Sequence, residues 1–241
     1  MKMISVTKYR LHRYFYSSHP VFPLIIMLCF FGIMYSMKPV DVCSSYILSG
    51  VFQFVLLTLV TLSMSGSEET VEEQLLLLHG NKWRAYCVSR EMTLCMISFL
   101  YGALLAFVPV FLNCINQFSL YKRTLTFSDV AVGTMIIIGS GLAGAAIGDV
   151  LQPRIMSGRK MAVTATVGLL ILSIAKDAVI DKYRFLTILG TFLPSVMKPA
   201  RDLGNGDYFV IKSVIAYLFF MILYYLIVAV IKNLMLIRKK F

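Results

Sequence analysis

Long apolar runs separated by short polar breaks dominate the chain. Six of them, residues 21–37, 44–65, 92–114, 130–150, 161–180 and 209–231, approach or exceed the length that crosses a bilayer, because about 20 apolar residues at 1.5 Å each span roughly 30 Å of hydrocarbon. The pattern predicts an all-α membrane protein, with six transmembrane helices forming a single transmembrane domain over residues 1–241. Residues 1–20 precede the first run and interleave Lys2, Lys8, Arg10 and Arg13 with Tyr9, Leu11, Tyr14, Phe15 and Tyr16. A basic, aromatic stretch of this kind predicts a helix lying in the membrane interface, with Arg10, Arg13 and Tyr14 as anchors. It lacks an apolar core, and no small-residue cleavage site follows it, so it does not read as a cleavable signal.

The breaks differ in length and kind. Lys38, Pro39, Val40 and Asp41 make a tight turn after the first run, whereas residues 66–91 form a long polar connection between the second and third. Between the fifth and sixth runs, residues 181–208 contain an apolar stretch, 185–197, interrupted by Gly190 and Pro194. Thirteen residues are too few to cross, so the expectation is a re-entrant or interfacial hairpin on the outer side.

Composition settles the class. Of 241 residues, 59% are hydrophobic and 15% charged, with mean hydropathy +0.79, which excludes an ordinary soluble domain. The net charge of +11 comes from 23 Lys and Arg against 12 Asp and Glu. In a membrane protein such an excess sets topology and does not indicate nucleic acid. With the N-terminus inside, 14 of the 23 cations fall on the inner side, which orients the spans with both termini cytoplasmic. Lys176, Lys182, Arg184, Lys198 and Arg201 run against that bias. Five cysteines without a C-x-x-C pair predict neither a zinc site nor a disulfide framework, and no metal or catalytic residue is assigned.

The connection 66–91 carries the most specific pattern. Ser65 and Glu68 have capping-box spacing, and Glu69, Glu72 and Glu73 favour the positive end of a helix dipole. Leu75 to Leu78 give that short helix an apolar end, with Gly80 at its C-cap. Lys82, Trp83, Arg84 and Arg90 predict a second helix entering the third span through the headgroup layer, Trp83 anchoring it. An acidic helix followed by a basic aromatic one is a docking surface rather than a reaction site. Further along, Gly139, Gly144 and Gly148 line a small face that permits close helix packing, a dimer seam or a substrate path. Asp149 is expected beside Arg154. Lys176 and Asp177 sit near a span end, as candidates for a substrate path together with Pro194, Tyr217 and Tyr224, or as snorkelling charges and core aromatics.

These features together resemble an ABC-2 type permease subunit: a basic interfacial helix, six spans, a Glu-containing coupling helix between the second and third, a Gly-rich fourth span and a Pro-interrupted outer hairpin. The resemblance covers nearly the whole chain and rests on residue classes at positions. It implies ATPase coupling through Glu68, Glu69, Glu72, Glu73, Lys82 and Arg84. It also implies ABC ATPase subunits as partners, with ATP and magnesium on those subunits and no cofactor in this chain. A homodimer or a heterodimer with a second permease, seated in the lipid of a bacterial plasma membrane, follows from the same family. The absence of a G-x-x-x-x-G-K-[ST] loop agrees with hydrolysis elsewhere. Compact outer loops resemble permeases that export, or confer immunity to, peptides and antimicrobials. Two other classes compete. Gly204-Asn-Gly-Asp207 matches the G-x-G-D of intramembrane aspartyl proteases, where Asp207 would need Asp177 or Asp149 as its partner. A secondary transporter or channel should show internal repeats and midplane charges, and neither is visible.

Overall fold

The computed structural model describes residues 2–36, 38–67, 83–153, 155–156, 158–182, 193–194, 196–197 and 208–238. These form seven helices: α1 Lys2–Tyr16, α2 Val21–Met34, α3 Val42–Ser67, α4 Trp83–Ile115, α5 Phe127–Val150, α6 Arg159–Lys182 and α7 Ile211–Arg238. Among the described residues there is no strand beyond a single bridge between Val40 and Tyr121. Four helices, α3, α4, α5 and α7, are long and apolar enough to cross a membrane. A fifth crossing is formed if α1 and α2, bent by 65° at the intervening turn, act as one broken span. The all-α membrane class is therefore met, and among the described residues four or five of the six expected spans are long and apolar enough to cross. The region read as a first span, 21–37, supplies only the 14 residues of α2, about 21 Å of helix.

Glycine builds the centre. Helix α5 packs against α3, α4, α6 and α7, and its contact with α3 is the most extensive in the molecule. A Cβ on Gly144 would collide with the Phe54 carbonyl of α3, and one on Gly148 would lie 2.5 Å from the Thr58 carbonyl. Only glycine lets these backbones approach so closely. The Thr58 hydroxyl lies 2.7 Å from the Phe54 carbonyl in its own helix and 3.0 Å from the Gly144 carbonyl across the seam. Gly139 faces α7 through Leu218 and Met221. Two apolar cores flank this seam. One gathers Tyr14, Met27, Phe31, Leu57, Ile97 and Leu105 from α1 to α4. The other joins Phe54, Ile136, Ile147, Val214, Tyr217 and Met221 from α3, α5 and α7.

The crossing helices alternate in direction, which gives the molecule two distinct ends. At one end, the α2–α3 turn meets the α4–α5 loop: Val40 N–H donates to Leu120 O at 3.0 Å and Lys122 N–H to Val40 O at 3.1 Å. Lys122 and Asp41 pair beside it at 3.1 Å. There Thr126 caps α5 and Arg123 grips Asp129 bidentately at 2.7 and 2.8 Å. The other end carries the last turns of α3, α5 and α7 and the first turns of α4 and α6.

Helix α1 does not lie apart from the bundle. Thr7 Oγ1 reaches the Ser89 carbonyl, the Arg10 guanidinium sits 4.4 Å over the Tyr86 ring, and the Tyr14 and Tyr101 hydroxyls are 2.8 Å apart. Arg10 and Tyr14, read as interfacial anchors, are thus buried against α4. Arg13 is half-buried on the same helix.

Candidate functional site

Four ionisable side chains from three helices meet inside the second end of the bundle. Helix α4 turns Tyr86, Arg90, Leu94, Ile97, Tyr101 and Leu105 inward, a stripe with spacings of three and four. Helix α7 turns Val214, Tyr217, Met221, Tyr225, Lys232 and Leu236 inward in the same way. Arg90 and Lys232 therefore sit on core stripes of their helices. Between them lies Asp149, in the last turn of α5.

The geometry is closely determined. Arg90 Nε donates to Asp149 Oδ1 at 2.8 Å, with Nη2 2.6 Å from the same oxygen. Lys232 Nζ donates to Asp149 Oδ2 at 2.5 Å and also to Glu91 Oε1. Glu91 Oε2 accepts from Tyr225 Oη at 2.5 Å, and the Cys95 thiol lies 3.6 Å from that phenol. Arg90 Nη2 reaches Ser65 Oγ in α3 at 2.6 Å. Side chains of Lys232 and Asp149 are 1% and 3% exposed, and that of Glu91 18%. Two cations and two carboxylates leave the group neutral, the condition under which buried charge is tolerated.

Chemically this is a clasp. Each carboxylate oxygen is engaged by a donor, and the network ties α3, α4, α5 and α7 at one level. Asp149 does not have the surroundings of a proteolytic acid or base, because Arg90 and Lys232 occupy both of its oxygens. Tyr208 packs under Arg123 at the Asp129 end of α5, and Asp207 lies outside the described residues.

The sequence-predicted residues distribute unevenly around this clasp. Glu68, Glu69, Glu72, Glu73 and Lys82 lie outside the described residues, as does Arg154; Trp83 and Arg84 open α4. Ser65 does not cap a new helix. It belongs to the last turn of α3, where its hydroxyl donates to the Thr61 carbonyl at 2.9 Å and accepts from Arg90. Asp149 has Arg90 and Lys232 as partners. Gly139, Gly144 and Gly148 all face neighbouring helices. Lys176 Nζ donates to the Leu193 carbonyl at 2.6 Å, beside buried Pro194, and Asp177 follows it half-buried on α6. Tyr217 hydrogen-bonds Ser140 of α5 at 2.8 Å, while Tyr224 is half-buried.

Sequence reasoning placed Arg90 on a helix in the headgroup layer and gave Glu91, Tyr225 and Lys232 no part in a buried charge cluster. The signal was present in the stripe of α7, where Lys232 falls seven residues after Tyr225 on an otherwise apolar face. No family model, curated protein or solved structure matches the chain.

Proposed function

We propose that this chain is the membrane-spanning permease subunit of an ATP-driven transporter of the ABC-2 type. In this reading six spans, α2 and α6 among them, place both termini in the cytoplasm of a bacterial cell. Two permease copies, or this one and a related one, pair with two ATPase subunits to export or extract a peptide, antimicrobial or other amphipathic substrate.

The observation that carries the reading is the position of the clasp relative to the acidic connection. Residues 68–82 connect the end of α3, two residues past Ser65, to the start of α4, about two turns before Arg90 and Glu91. A push on that connection meets α3, α4, α5 and α7 through one hydrogen-bonded unit, which suits rigid-body transmission of ATPase movement to the spans. The exposed outer face of α7, only 22% buried in its most apolar window, has the character of a surface for lipid or a second permease.

The experiment is co-purification from the native membrane in mild detergent. An ATPase subunit that accompanies the tagged protein, and is lost when Glu68, Glu69, Glu72 and Glu73 are replaced by Gln, is the expected result. Purification without any ATPase, or an ATPase retained with ATP-dependent transport intact after the replacement, overturns the reading.

A further inference from the structure

A cavity of about 390 Å³ opens between α2, α3 and α6. Its volume lies in the range of small-molecule sites. Its chemistry is divided along its length. Ile26, Phe52, Val55, Leu59 and Val163 line an apolar body. Ser18, His19, Ser63 and Arg159 line the other part, where α1 bends into α2, α3 ends and α6 begins. The His19 Nδ1 and Ser63 Oγ atoms, 3.2 Å apart, join the α1–α2 bend to α3 at this polar mouth. Among the described residues no carboxylate lines the cavity, and Arg159 is its one permanently charged side chain.

The dimensions are those of an extended chain and not of a compact solute. From Phe52 to Gly66 the lining runs along α3 for about 21 Å at 1.5 Å per residue. Its polar end sits beside Ser65, the α3 member of the clasp, at the end of the apolar window Val42–Gly66, and its apolar end runs back along that window toward Phe52.

We propose that this groove is a binding site for a membrane amphiphile with an anionic headgroup: an acyl chain lies along α3 and a phosphate sits between Arg159 and His19. Charge complementarity selects the occupant. Both kinds of lipid offer a phosphate to the guanidinium, but a zwitterionic headgroup also brings a cation into a mouth that already carries one and, among the described residues, has no carboxylate to meet it, so the net anionic lipid is favoured. The site is independent of whether the chain works with an ATPase.

Native mass spectrometry of the purified full chain tests it, with phosphatidylglycerol or phosphatidylcholine added at equal concentration and glycerol phosphate as a headgroup without chains. The expected result is at least tenfold more phosphatidylglycerol than phosphatidylcholine adduct, undiminished by excess glycerol phosphate. Arg159→Gln should abolish the preference and Arg159→Lys retain most of it. Val55→Trp, which fills the apolar body, should remove adducts of both lipids while the protein keeps its elution position on gel filtration. Equal retention of the two lipids by the unaltered chain overturns the proposal. So do an unchanged preference in Arg159→Gln, full adducts in Val55→Trp, or displacement of the lipid by glycerol phosphate alone.

Discussion

Replacing Lys232 by Met removes one of two buried cations while keeping the length and apolar stem of the side chain. Asp149 is left with Arg90 alone, and Glu91 with Tyr225, so the clasp changes from neutral to a net negative charge at a site where Asp149 is 3% exposed. Breaking a buried pair by deleting one partner costs about 3–5 kcal/mol. Glu91, 18% exposed, can recruit water, which places Lys232→Met near the lower figure. At roughly 2–4 °C per kcal/mol for a chain of this size, about 3 kcal/mol lowers the thermal midpoint by about 6–12 °C. Glu91→Gln keeps the shape and the Tyr225 partner and should cost about 1–2 kcal/mol, as the loss of a charge-assisted bond. The double variant restores neutrality, with Arg90 and Asp149 left as a pair. It should therefore lose less than the two single variants together by at least about 1 kcal/mol. The assay is thermal unfolding in detergent followed by helical circular dichroism, with Lys212→Met, exposed at the other end of α7, as the neutral control. A Lys232→Met midpoint equal to the parent's, or a double variant that falls by the full sum, refutes the neutral-clasp argument.

Three further outcomes are expected. Gly144→Ala drives a methyl group into the Phe54 backbone and should destabilise by about 1–3 kcal/mol, whereas Gly168→Ala, in open space on α6, should stabilise by about 0.5–1 kcal/mol; paired thermal midpoints of opposite sign check both. Tyr14→Phe strands the Tyr101 hydroxyl and should cost about 1 kcal/mol, largely recovered in the Tyr14→Phe, Tyr101→Phe double variant on the same assay. Burial raises the Tyr35 and Tyr121 phenols above their ordinary range, so both stay neutral in the folded protein while the unfolded chain ionises near pH 10. Their contribution is fully present below that pH and is lost as pH rises above it: the midpoint should fall between pH 9 and 11, and fall less in the Tyr35→Phe, Tyr121→Phe variant.

The elements whose apolar pattern is set by lipid were legible. The runs 44–65, 92–114, 130–150 and 209–231 fall within α3, α4, α5 and α7 almost end to end. Helix α4 nonetheless begins at Trp83, nine residues before its apolar run, because Tyr86, Arg90 and Leu94 already pack inward. The small face of α5 was also readable, since glycines four apart have few uses in lipid other than close approach. What the sequence hid was pairing across distance. Arg90 and Asp149 are 59 residues apart, Lys232 and Asp149 are 83 apart, and Lys232 and Glu91 are 141 apart. The two cations, Arg90 and Lys232, fall within about two turns of a helix end, where the positive-inside rule counts them with the flanking polar segments. Only the direction in which its helix turns each one, visible in the spacing of neighbouring apolar residues, distinguishes a core cation from a solvated one. The same ambiguity placed Ser65 at the start of a new helix, when its distance from Arg90 is fixed by the packing of α3 on α4.

Lys232 is also the last of the four clasp charges to leave the ribosome. Until α7 has inserted, Arg90, Glu91 and Asp149 carry a surplus negative charge, and α7 itself carries an unmatched ammonium into the bilayer, at about 2.5–3.5 kcal/mol if it lay at the centre of the span. Docking of α7 cancels both penalties in one step. Insertion of α7 and neutralisation of the clasp are thereby a single event, because the ammonium of one helix is the missing counter-charge of two others.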